Sequence, residues 1–154
     1  MIKINVITSY KSWHKYISDP SQLIRKKINL VNKKYNKYKN KNISFTLLLS
    51  DETHIKKLNK QFRNKNKSTD ILSFPFHKRS DLKKKLKRDK EIYLGDIIVN
   101  LNQIKDKKNI SNFILELNRL WVHGFTHLLG FDHKKDKDFE KMRRVENKFL
   151  SYIR

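Results

Sequence analysis

The chain has 154 residues, only 37% of them hydrophobic, and a formal net charge of +22 from 37 Lys and Arg against 15 Asp and Glu. That length fits one compact domain, residues 1–154, able to bury its own core without a disulfide or structural metal. The absence of Cys excludes a disulfide partner, a thiolate metal site and a cysteine nucleophile; no apolar run is long enough to span a bilayer, and no signal-peptide core opens the chain, so a cytoplasmic protein is expected.

Residues 2–8 (IKINVIT) alternate apolar and polar, the period of a strand. Pro20 opens a helix over about 20–38, with Leu23, Ile24, Ile28, Leu30 and Val31 along one side. ISFTLLL (43–49) reads as a second strand. Ser50 and Asp51 can cap a following helix that carries Ile55, Leu58 and Phe62 and ends near Arg63. After the polar loop NKNKST, ILSFPF (71–76) reads as a short strand, held to an edge or ended by Pro75. HKRSDLKKKLKRDK (77–90) reads as an exposed or mobile basic loop. IYLGDIIVNL (92–101) is an apolar strand, and helices over about Ser111–Leu129 and Asp136–Tyr152 close the chain. The alternation predicts an α+β domain: a small mixed sheet of about four strands packed by helices.

The cations suggest a polyanionic partner: nucleic acid, a ribosome or an anionic membrane. Yet 29 of the 37 are Lys and 8 are Arg, Asn and Ile are abundant, and Ala is absent. AT-rich coding bias would produce the same pattern, so charge alone leaves both readings open. It does make each Arg more informative, because its planar fork suits phosphate.

Three of the six His fall within His123-Gly-Phe-Thr-His127-Leu-Leu-Gly130-Phe-Asp-His133. His123 and His127, four apart on a helix, present two imidazoles on one face, at the border of the arc made by Phe113, Leu117, Trp121 and Leu128. Gly130 can take a left-handed conformation, end the helix and return the chain so that His133 approaches. Three imidazoles around one cation leave a coordination position open, the form of a catalytic zinc site. Ordinary surface or core histidines are the alternative, and Asp132 could complete a closed structural site. An orienting role for Asp132, as hydrogen-bond acceptor to a His, fits better. The spacing matches the metzincin metalloproteases, but the residue after the first His, Glu in the zincins, is Gly124 here. The zincin-like metal helix is kept and the protease's general base is not.

HGFTHLLGFDH resembles the HGxLHLxGYDH signature of the YbeY family, bacterial rRNA maturation factors and single-strand-specific endoribonucleases. Leu58-Asn59, Phe62-Arg63 and Lys65 through Pro75 are similar to that family's LN..YR.KD.PTDVLSFP block, and Leu94-Gly95-Asp96-Ile97 to its LGDI strand. Departures are Thr126 for Leu, Phe62 and Phe131 for Tyr, Ser68 for Pro, Ile71 for Val and Asn66 for Asp; none falls on the three His. The resemblance implies one Zn2+ per chain held by His123, His127 and His133, with His123 and Arg63 in the catalytic machinery. It also implies single-stranded RNA as substrate, and rRNA and the small ribosomal subunit as partners in 16S rRNA 3′-end maturation and ribosome quality control.

Arg63 has support of its own, since it ends a helix and precedes a basic loop. Lys65 and Lys67 are candidate RNA contacts and Arg119 a weaker one; Asp70 and Asp96 are expected to fix turns. His14, His54 and His77 read as surface residues, Trp13 and Trp121 as core. Two rivals remain: a ribosome-assembly or rRNA-binding factor with a structural metal site, and a metallohydrolase acting on peptides or small molecules.

Overall fold

The computed structural model describes all 154 residues. Its strands are β1 (Ile2–Thr8), β2 (Asn42–Ser50), β3 (Ile71–Pro75) and β4 (Glu91–Asn100), and its helices are α1 (Pro20–Lys34), α2 (Glu52–Arg63), α3 (Arg79–Arg88), α4 (Ile110–Leu128) and α5 (Asp136–Tyr152). The strands form one mixed sheet in the order β1-β2-β4-β3. β1 and β2 pair in parallel, as do β2 and β4, while β3 runs antiparallel to β4 at the edge and ends on Pro75. The expected α+β class with four strands is what the structure contains.

Alternation along the strands divides the core. Ile43, Phe45, Leu47 and Leu49 of β2, with Ile97 and Val99 of β4, face a cluster of 27 buried residues shared with α1, α4 and α5. Leu72 and Ile98 face the other way and pack beneath Ile55 of α2. β4 keeps Leu94 and Ile97 on the same face through an irregularity: Ser44 pairs with Tyr93 and Thr46 with Asp96, so Leu94 and Gly95 stand opposite Phe45 alone. The extra residue is a bulge, and Gly95 takes a φ of +134° there. A Cβ at Gly95 would lie 2.1 Å from the Phe74 carbonyl oxygen, so no other residue fits without moving β3.

Two expectations are corrected. The helix expected over 20–38 stops at Lys34, and Asn36–Tyr38 form a separate 3-10 turn. The break lets two aromatic rings reach the core: Tyr38 is buried, and Tyr35 packs 5.0 Å from Phe149. The stretch expected as a loop at 77–90 contains α3, which buries Leu82 in the main core with Leu86 packed beside it. Leu82 and Leu86 are one turn apart, and this two-residue stripe suffices to fasten an otherwise charged helix. Trp13 and Trp121 are fully buried, as expected.

Candidate metal centre

α4 is started by Asn109, whose side chain accepts the Asn112 N–H, and is ended by a Schellman turn. Gly130 takes a φ of +90° and donates its N–H to the His127 carbonyl, while the Phe131 N–H returns to the Thr126 carbonyl. The left-handed residue expected at Gly130 is therefore present, and it carries His133 back toward the helix. One ligand nitrogen from each of His123, His127 and His133 lies within 4.8 Å of the others. The ring centroids are 4.6, 5.1 and 5.8 Å apart.

Two of the three rings are held from behind. His123 Nδ1 is 2.6 Å from Glu146 Oε1 on α5, and His127 Nδ1 is 3.0 Å from the Phe131 carbonyl. In each pair the oxygen can accept an Nδ1–H, which leaves both Nε2 atoms as lone-pair donors on the same side, 3.1 Å apart. Burial first, and then the proximity of His123 and His133, pushes the His127 imidazole below its ordinary value, favouring the neutral form that a cation needs. Three imidazole nitrogens converging from one side therefore fit a divalent ion with an open position. His133 is exposed, and Asp132 steadies it through the backbone: Asp132 Oδ1 accepts the His133 N–H at 2.7 Å. The ring acceptors are Glu146 and the Phe131 carbonyl, in place of the orienting carboxylate expected at Asp132.

The histidines line a cleft of about 550 Å³ that also takes in Arg63, Lys65, Ser73, Pro75, Asp132 and Lys134. Arg63, the last residue of α2, is aimed by two contacts. Its Nη2 donates to the Ser73 carbonyl at 2.9 Å, and its guanidinium lies 5.8 Å from the Phe74 ring centroid. The loop after α2 is pinned by Asn100, whose buried side chain donates to Glu52, Ser68 and the Thr69 carbonyl. Lys65 lines the cleft. Lys67 is exposed outside its lining, and its carbonyl accepts from Asn59. Arg119 lies on another face, beside Lys27, Ser111 and Arg154. Asp96 accepts from the Tyr93 hydroxyl, and His54 from or to the Ser50 hydroxyl.

Gly124 has a steric role. A Cβ there would come 2.8 Å from Ile97 Cγ2 and 3.1 Å from Ile71 Cδ1, so the missing side chain lets α4 lie close on the sheet. Sequence reasoning missed Glu146 and the supporting hydroxyl of Thr126, which donates to the His123 carbonyl at 2.7 Å and lies 3.4 Å from Glu146 Oε1. The available signal was an acidic residue within the inward stripe Met142, Val145 and Phe149 of the last helix.

The family model described as Endoribonuclease YbeY matches residues 8–154. The chain is 43% identical to the endoribonuclease YbeY of Pelagibacter ubique (strain HTCC1062), over 100% of this chain and 97% of that one. It is 32% identical to that of Ehrlichia canis (strain Jake), over 99% and 93%. A solution structure of a Thermotoga maritima protein superposes with a TM-score of 0.59 at 27% identity, covering 99% of this chain and 89% of that one.

Proposed function

The chain belongs to the endoribonuclease YbeY family, and on that ground we propose that it is a zinc-dependent, single-strand-specific endoribonuclease. Its work would be maturation of the 16S rRNA 3′ end and ribosome quality control, in the cytoplasm. The observation that carries the chemistry is the convergence of His123, His127 and His133 in the same cleft as Arg63.

The three imidazoles would hold the zinc, and Glu146 and the Phe131 carbonyl keep two of them in register. When bound, the ion supplies Lewis-acid polarisation of a phosphate oxygen and lowers the pKa of water to about 7. Arg63 keeps donors to spare beyond the one given to Ser73; these hold the scissile phosphate and offset the charge that develops on it. Lys65 and Lys134 draw the polyanionic strand into the cleft. Peptide hydrolysis has no support, since the position of the zincin base belongs to Gly124 and its packing on Ile97.

His123→Ala should lower zinc content and cleavage of a single-stranded rRNA fragment together; loss of zinc with cleavage intact would refute the assignment. The product ends identify the attacking group, because a 2′,3′-cyclic phosphate requires the ribose 2′-hydroxyl.

A further inference from the structure

A second cavity, of about 180 Å³, adjoins the metal cleft and shares Pro75, His127 and Asp132 with it. Its outer wall is the start of α3, with His77 and Arg79, and its floor is the Gly130 turn. The Arg79 stem runs along that turn: a Cβ at Gly130 would sit 3.6 Å from Arg79 Cγ. No ion pair occupies the Arg79 guanidinium. His77 is half-buried, its ring edge-on to Phe76 at 5.0 Å. A guanidinium and an imidazole lining one small cavity make a donor set for a tetrahedral anion. The space is smaller than the roughly 300–1,000 Å³ that encloses a drug-sized ligand, so it suits a phosphate better than a nucleoside. Asp132 stands on the shared wall, but its carboxylate already accepts the His133 N–H and lies 3.9 Å from Lys134 Nζ.

We infer that Arg79 and His77 form a second phosphate subsite, which takes the backbone phosphate of a nucleotide neighbouring the scissile one. This rests on the endoribonuclease reading. A strand crossing the histidines meets Arg63 and Lys65 in one cavity and Arg79 in the other, so α3 gives the cleft direction and length.

The test is fluorescence anisotropy of a labelled, unstructured oligoribonucleotide over a range of salt, with wild type, Arg79→Gln and Lys84→Gln, each checked for unchanged zinc content and circular dichroism. Lys84 is exposed on the same helix and lines neither cavity. Arg79→Gln should weaken binding several-fold, lower the log–log salt slope by about 1, and raise KM with little change in kcat. Lys84→Gln should leave the slope as in wild type. Equal effects from both variants, or none from Arg79→Gln, would overturn the subsite while leaving the nuclease reading intact. A wild-type protein that neither binds nor cuts the strand would remove both.

Discussion

Glu146 Oε1 lies 2.6 Å from His123 Nδ1, so a carboxylate on the last helix fixes the first imidazole of a cluster built by the preceding helix and its turn. This contact ties the packing of α5 on α4 to the aim of a candidate metal ligand. Glu146→Ala should weaken zinc binding by about 10–100-fold, the usual cost of losing such a partner. Glu146→Gln should lose less, since its amide oxygen can still accept the Nδ1–H. Competition with a chromophoric chelator reads both; equal affinity in wild type and Glu146→Ala would mean that the carboxylate serves helix packing alone.

Arg63 makes a separable prediction. Because its hydrogen bond goes to the Ser73 carbonyl and to no histidine, Arg63→Ala should keep its zinc and lose cleavage, by about 10²–10³-fold if it stabilises transition-state charge. Arg63→Lys should recover only part of the rate, since a single ammonium cannot serve the Ser73 carbonyl and a phosphate with the geometry of a planar fork. A variant that has lost zinc as well would show that Arg63 holds the cleft together.

The histidine cluster was legible because its signal is local: three His at fixed spacing, and a glycine whose left-handed φ the turn requires. The strand at 2–8 was legible from period-two alternation and those at 43–49, 71–76 and 92–101 as short apolar runs, and Pro75 marked the edge. What escaped depends on contacts across the fold. Leu82 and Leu86 make too short a stripe to announce α3 among its charges, although burial of Leu82 anchors it. Glu146 is 23 residues from His123, and nothing in the spacing joins them. Gly124 could be read as a missing base, but only the approach of Ile97 gives the reason.

That approach can be tested. Gly124→Ala places a methyl against Ile97 and Ile71 and should cost about 1–3 kcal/mol through overpacking. Each kcal/mol should lower Tm by about 2–4 °C in a chain of this size. Gly124→Glu should destabilise further and confer no cleavage of a peptide substrate. Calorimetry and a peptidase assay on the two variants give the answer; a stable, proteolytic Gly124→Glu would contradict the packing argument.

Acid should act on the metal-free protein through His127. Burial and its two neighbouring imidazoles lower its pKa in the folded chain, whereas an unfolded His titrates near 6.5. Above that value both states are neutral at this position and it contributes nothing to the pH dependence. Below it the unfolded chain takes up the proton first, so folded stability falls as the pH drops from about 6.5 toward the lowered folded value. Thermal melts of chelator-treated protein between about pH 7.5 and 5.5 should decline, and His127→Gln should flatten part of that decline. An identical slope in the variant would assign the acid sensitivity elsewhere.

The most direct measurement is cleavage of a single-stranded oligoribonucleotide by protein stripped with a chelator and then titrated with zinc. Activity should vanish on stripping and return as about one equivalent of zinc is restored to the His123, His127 and His133 cluster. Undiminished cleavage by verified metal-free protein, freed of contaminating nucleases, would contradict the account.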